Sequence, residues 1–302
     1  MMILKNYLIA NLNLTLTCPQ LMELKPTVPF SAFASSSCLG APIAVLVRFA
    51  LEGEETFPEQ PPLWEDSFSR LYQEKDGFVE YWGTDLSDPG RIWQRKVRLA
   101  LDGSRVEIIL PVSEGRSLKS LSEQGLFRLL HLEYLMAHHN RTILHSSFLI
   151  YQGRAILFTA PSGTGKSTQA DLWKTAYPQQ VEILNGDRSI LSCDGEESMA
   201  HGLPFCGTSG IAKNQSAPLA AVVILRQGKE NRLTRPQPFQ LITTLLEQCA
   251  IDVWDKFGTQ QVLDLLVKII QNTPVYYYEC LPDRTAVETL KTELEQQGAI
   301  IS

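Results

Sequence analysis

Hydrophobic and polar residues alternate between positions 8 and 17. Leu8, Ala10, Leu12, Leu14 and Leu16 take one parity, and Asn11, Asn13, Thr15 and Thr17 the other. A period of two predicts a half-buried strand, because successive side chains leave a strand on opposite faces. β-rich runs predict further strands at 43–49, 78–82, 92–100 and 106–111. The stretch from Gly83 to Gly90 is dense in turn formers, and 54–62 is acidic and proline-rich, which predicts an exposed loop. Residues 1–118 therefore read as an antiparallel, β-rich amino-terminal module.

From position 119 the spacing changes. Leu126, Leu129, Leu130, Tyr134 and Ala137 recur at helical intervals, predicting a helix over 120–137 with Ser120 or Ser122 as its cap. Strands follow at 143–151 and 155–160, joined by Gln152-Gly153-Arg154. A helix is expected over 166–177, stopped by Pro178, then strands at 181–184, 190–193 and 219–225. Helices at 239–254 and 259–271, a strand at 275–280 and a last helix capped by Asp283 complete a mixed α/β domain over 119–302.

Composition narrows the classes of function. The chain has 302 residues, 44% hydrophobic and 20% charged, enough for a real core. No apolar run approaches the roughly 18 residues of a membrane span. The opening Met1-Met2-Ile3-Leu4-Lys5-Asn6 lacks the pattern of a secretory leader, so a cytoplasmic location is expected. A net charge of -6 argues against a general nucleic-acid binder. The six cysteines (Cys18, Cys38, Cys193, Cys206, Cys249 and Cys280) form no CxxC pair and read as free thiols. His131, His138 and His139 fall on the expected helix without suitable companions for a metal site.

The most informative segment is Ala160-Pro161-Ser162-Gly163-Thr164-Gly165-Lys166-Ser167-Thr168. It fits a phosphate-binding loop with alanine in place of the first glycine. Gly163 and Gly165 allow backbone amides to turn toward phosphate oxygens. Lys166 offers a point charge for the β and γ phosphates, and Ser167 a hydroxyl for Mg²⁺. Ser162, Thr164 and Thr168 complete the loop, which is expected between a strand and a helix. The segment Val181-Glu182-Ile183-Leu184-Asn185-Gly186-Asp187-Arg188 sets a carboxylate at the end of an apolar strand, 21 residues after Lys166. A carboxylate there suits a second Mg²⁺ anchor. A loop of small residues, 202–210, follows, with Lys213 just beyond it.

The order of His145, the Ala160 to Thr168 loop, Asn185-Gly186-Asp187-Arg188 and the small-residue loop resembles the catalytic domain of bacterial HPr kinase/phosphorylase. That domain shares its fold with the ATP-dependent phosphoenolpyruvate carboxykinases. The similarity is greater to the HPr-kinase-like proteins found beside peptide natural-product genes. It covers 144–226 well, weakens toward the carboxyl end and does not reach the first 120 residues. The resemblance implies an α/β (α+β) phosphate-loop catalytic domain carrying ATP on Ser162, Gly163, Thr164, Gly165, Lys166, Ser167 and Thr168, with Arg188 and Lys213 as further nucleotide contacts. It implies Mg²⁺ on Ser167 and Asp187, and catalytic roles for Asp187, His145 and Lys166. HPr kinases carry two adjacent aspartates where this chain has Gly186-Asp187, so the kinase activity is kept and the phosphorylase activity dropped.

The expected function is an ATP-dependent kinase moving the γ phosphate to a serine hydroxyl of a peptide or protein. The amino-terminal module would present that acceptor. Two alternatives stay open: a small-molecule or carboxykinase-like phosphotransferase, and a non-catalytic ATP-binding sensor or chaperone. Nucleic acid and membrane are not expected partners. Assembly into a homo-oligomer, as in the hexameric HPr kinases, is compatible with the chain but not required by it.

Overall fold

In the computed structural model of the chain, which describes residues 2–20, 22–36, 40–51, 57–83, 95–112 and 120–301, the alternating run straddles a hairpin. Met2–Ile9 and Leu12–Pro19 pair antiparallel around Ala10 and Asn11, whose φ angles are both positive (49° and 61°). Two positive φ values in a two-residue loop match the twist of the flanking strands. Such a loop pairs Ile9 with Leu12 and Tyr7 with Leu14, so the buried parity switches across it. Tyr7 and Ile9 are buried before the turn, and Leu14 and Leu16 after it. The single strand expected over 8–17 is corrected accordingly.

The chain divides into two compact units, Met1–His138 and His139–Ser302. In the first, nine strands of the described residues form one sheet. Their order is Ala34–Ser35, Met2–Ile9, Leu12–Pro19, Ile43–Leu51, Arg105–Val112, Arg95–Ala100, Gly77–Trp82, Ser69–Glu74 and Trp64–Glu65. Ile43–Leu51 runs parallel to both of its neighbours, so the sheet is mixed rather than antiparallel as expected. The expected strand residues 92–94, the turn at 84–90, part of the 54–62 loop and Cys38 lie outside the described residues.

The helix expected over 120–137 is two short ones, Glu123–Phe127 and Leu132–His138. Ser122 caps the first, its Oγ accepting from Gly125 N at 3.0 Å. His131 interrupts the run with a positive φ of 47°, and its Nε2 meets Glu80 Oε2 at 2.8 Å. Both helices are tied to the first unit rather than to the domain expected to begin at 119. Glu123, buried, accepts from Tyr7 Oη and Thr27 N, each at 2.8 Å, and Tyr134 Oη donates to Ala100 O at 2.7 Å.

The second unit is a mixed α/β structure built on one long strand, Arg141–Tyr151. Its carboxyl-terminal half pairs with Arg154–Thr159 and Val181–Asn185, and its amino-terminal half with Arg188–Asp194 and Cys249–Ala250. Arg154–Thr159 is also parallel to Ser216–Gln227, which is parallel to Val275–Cys280. Glu197–His201, not anticipated from the sequence, bridges Arg188–Asp194 and Ser216–Gln227. The helices Lys166–Ala176 and Arg284–Gln296 set Ala170, Trp173, Val287 and Leu290 into a core with Leu149, Phe158, Val223, Tyr276 and Tyr278. The expected helix over 239–254 stops early: Pro238–Leu246 gives way to Cys249–Ala250, which pairs with Ile143 and Leu144. Asp255 then caps a new helix, Lys256–Asn272. No helix of the described residues is long and apolar enough to cross a membrane. The five described cysteines are free.

His201 closes the strand Glu197–His201 and is fully buried, with Nε2 2.9 Å from Ser192 Oγ and Nδ1 2.7 Å from Ser216 Oγ. Burial pushes its pKa from 6.5 down to about 4, with Arg141 adding to the effect and Asp194 opposing it. The folded chain therefore binds one proton fewer than the unfolded chain between those values. Stability is full above pH 6.5 and falls as the pH drops toward 4, by about 3 kcal/mol for this group. Urea midpoints measured from pH 7 to pH 4 should lose that part of their slope in His201→Gln. An unchanged slope would place the acid sensitivity elsewhere.

Candidate functional site

The strand Arg141–Tyr151 organises the site. It faces Arg154–Thr159 with Ser146 opposite Thr159, and Arg188–Asp194 with His145 opposite Arg188. Val181–Asn185 reaches the same strand with Asn185 opposite Phe148. The loop leaving Thr159 and the turn from Asn185 to Arg188 therefore both emerge beside His145. Thr159 Oγ1 donates to His145 O at 2.8 Å, and Ser146 N donates to Asp187 O at 3.0 Å. Strand pairing thus brings together residues about twenty positions apart on either side of Lys166.

Residues 160–165 link that strand end to the helix Lys166–Ala176. Gly163 and Gly165 have φ values of 79° and 116°, and a Cβ built on either meets nothing within 4 Å. Open space therefore lies where phosphate oxygens could approach the backbone. Gly165 is the N-cap, so the unpaired amides of the helix's first turn lie at the loop. Lys166 is buried, and its Nζ donates to Ala160 O at 2.8 Å and Pro161 O at 3.2 Å. Burial lowers its pKa, and the Asp187 carboxylate opposes the shift.

A cleft of about 540 Å³ collects most of the candidate residues. Ser162, Gly163, Gly165, Lys166, Ser167 and Thr168 line it, as do His145 and Asp187. Asp187 Oδ1 lies 3.6 Å from His145 Nε2, and its Oδ2 lies 3.3 Å from Arg188 Nε. Burial lowers the pKa of His145, Lys166 adds to this and Asp187 opposes it. The ring is therefore neutral at pH 7 and able to accept a proton. Thr208 and Ser209 of the small-residue loop also line the cleft, as do Ser147 and Asp171, which the sequence reading did not single out.

Three candidates lie outside the lining. Thr164 lines an adjacent cavity instead. Arg188 pairs with Asp187 without lining the cleft. The Lys213 ammonium is held at the surface by Glu182 Oε1 at 2.7 Å, while its backbone N donates to Leu184 O.

Asn185, part of the Asn185-Gly186-Asp187-Arg188 segment, was given no role of its own by the sequence reading. It is fully buried, and its Oδ1 accepts from Asp187 N at 2.9 Å and Arg188 N at 3.0 Å. Its Nδ2 donates to Leu203 O at 3.1 Å and Phe205 O at 2.8 Å. One side chain thus fixes both the Asp187 turn and the start of the small-residue loop. That loop packs tightly on Gly186. A Cβ at this position would lie 2.6 Å from Ser209 Cβ and 2.8 Å from its Oγ. Any side chain at 186 would have to displace Ser209, an exposed residue of that loop.

No group of three or more His, Cys, Asp or Glu side chains able to hold a metal ion by itself occurs among the described residues. The cleft instead brings together the hydroxyl of Ser167 with the carboxylates of Asp187 and Asp171 in its lining. Hard oxygens in small number suit Mg²⁺ that takes its remaining ligands from phosphate and water.

No family model and no curated protein matches the chain. Among solved structures, the chain is similar to the Hpr(Ser) kinase/phosphatase from Coxiella burnetii at 11% identity and a TM-score of 0.31. The alignment covers 52% of this chain and 97% of that one. A likeness at this level carries no argument, and the functional reading rests on the site.

Proposed function

We propose that the second unit binds ATP and Mg²⁺ and transfers the γ phosphate to a serine hydroxyl of a peptide or protein. The observation that supports this reading is the presence of Lys166 and Ser167 of the glycine-rich loop in one cleft with the Asp187–His145 pair. Gly163, Gly165 and the helix amino terminus would hold phosphate oxygens, with Lys166 leaving its loop carbonyls to meet the β and γ phosphates. Ser167 and Asp187 would hold Mg²⁺, which when bound neutralises charge on those phosphates. Asp187, about one-third exposed, can accept the serine proton, and the neutral His145 beside it is the second candidate base. Phosphoryl transfer depends mainly on positioning and charge neutralisation, so the single carboxylate at Gly186-Asp187 is compatible with forward transfer.

The test is incubation of the full chain with Mg²⁺, γ-labelled ATP and a panel of serine-containing peptides, with Lys166→Ala as control. Label on a peptide serine that disappears in the control supports the kinase. ATP binding with no label on any peptide or small-molecule acceptor would favour the non-catalytic sensor, the reading that glycine at 186 keeps open.

A further inference from the structure

The small-residue loop brings hydroxyls of the chain itself to the cleft. Both its ends are fixed on the strand Val181–Asn185. Asn185 Nδ2 donates to Leu203 O and Phe205 O, and beyond the loop Ala212 pairs with Asn185 while Lys213 N donates to Leu184 O at 3.0 Å. The segment between is thereby held over the turn that carries Asp187. A Cβ built on Gly207 would lie 2.8 Å from Asp187 Cγ and 3.1 Å from its Oδ1, so the loop backbone rests on the carboxylate. Two residues on, the side chain of Ser209 is seated on Gly186, the residue before Asp187.

Outside residues 160–168, three hydroxyls line the cleft with Lys166 and Asp187: Ser147, Thr208 and Ser209. Ser147 is fully buried in the strand Arg141–Tyr151, and its Oγ donates to Gly186 O at 3.2 Å. Ser209 is exposed. Its Oγ donates to Cys206 O at 2.7 Å and accepts from Ile211 N at 3.3 Å. Both bonds lie within the loop, so the hydroxyl can leave them without disturbing the sheet. Thr208 is exposed as well, but Ser209 is the one whose side chain meets Gly186, next to the proposed base. A hydroxyl tethered at a reacting centre acts at a far higher effective concentration than a free acceptor.

We propose that Ser209 is a site of self-phosphorylation in cis. This rests on the kinase reading above and names an acceptor inside the chain. Ser209 Oγ forms a bond to the γ phosphorus of ATP, and the bond from that phosphorus to the β–γ bridging oxygen breaks. ADP leaves with the electron pair, and the hydroxyl proton passes to the Asp187 carboxylate. The product adds about 1.5 to 2 negative charges beside Asp187, which disfavours a second nucleotide, so labelling should stop near about one phosphate per chain.

The full chain is incubated with Mg²⁺ and γ-labelled ATP, with and without the serine-containing peptides, and the phosphate is mapped by digestion and mass spectrometry. Label is expected on Ser209 in the absence of any peptide. Its rate constant should stay the same over about a tenfold range of chain concentration, as a step in cis requires. Lys166→Ala and Ser209→Ala should each abolish the label, and the map of the parent chain does not depend on how either variant folds. Label on a peptide serine with none on Ser209 overturns the inference and leaves the kinase reading in place. Label confined to Thr208 or another hydroxyl, or a rate constant that rises in proportion to chain concentration, overturns it as well. No label on the chain or on any peptide removes the kinase reading and the inference together.

Discussion

Asp187→Asn is expected to slow the proposed transfer to a peptide serine by about 10²–10⁴-fold, the range for loss of a positioned general base. The substitution keeps the shape of the side chain and removes its charge. Asp187 is about one-third exposed, and its backbone rather than its carboxylate makes the bonds to Ser146 and Asn185. The melting temperature should therefore stay close to that of the parent chain. Nucleotide affinity without Mg²⁺ should stay within a few-fold, because Gly163, Gly165 and Lys166 are untouched. With Mg²⁺ the affinity should fall, since one of two hard-oxygen anchors is lost. His145→Gln provides the comparison. The imidazole lies 3.6 Å from the Asp187 carboxylate, too far for a good hydrogen bond but close enough to share a proton acceptor's role. A near-normal rate in Asp187→Asn with a hundredfold loss in His145→Gln would reverse the assignment of the base. Near-normal rates in both would move the chemistry out of this cleft.

The parts of the site that were legible in the sequence are those whose chemistry is local. Residues 160–168 contain their own argument, because glycines, lysine and hydroxyls act from consecutive positions between a strand and a helix. Asp187 was legible as a carboxylate ending an apolar strand. Its meeting with His145 was carried by the family resemblance alone, since it depends on Arg141–Tyr151 pairing on two sides at once. Arg188 and Lys213 show the opposite limit. Both were drawn in by the resemblance, and in the structure one pairs with Asp187 and the other with Glu182. In the first unit, alternation correctly marked β structure over 8–17 but could not show the two-residue turn, because polar Asn11 preserves the alternation while the chain reverses. The helical spacing over 120–137 likewise passed through His131, whose left-handed backbone no periodicity reveals.

The role of Asn185 was not legible for the same physical reason: its partners Leu203 and Phe205 lie 18 and 20 positions away. The one local signal was an asparagine directly before Gly-Asp, where a side-chain carbonyl can accept from amides two and three residues on. Asn185→Ala should have two effects. Four backbone groups, the amides of Asp187 and Arg188 and the carbonyls of Leu203 and Phe205, would lose a partner at a fully buried position. A loss of roughly 2–4 kcal/mol of stability follows from leaving such groups unsatisfied. Freed from its anchor, Asp187 should also shift, and a displacement of about 1 Å can reduce kcat by about 100-fold. Stability and positioning separate in a double-mutant cycle with Asp187→Asn. If Asn185 acts through Asp187, the kcat losses should not add, because a misplaced carboxylate and an absent one fail at the same step. The thermal shifts should add, since the Asp187 carboxylate takes no part in the Asn185 bonds. Asn185→Asp supplies an intermediate case, keeping the acceptor for the two amides while losing the donor to the small-residue loop. Additive kcat losses in the cycle would make Asn185 a residue of the fold alone.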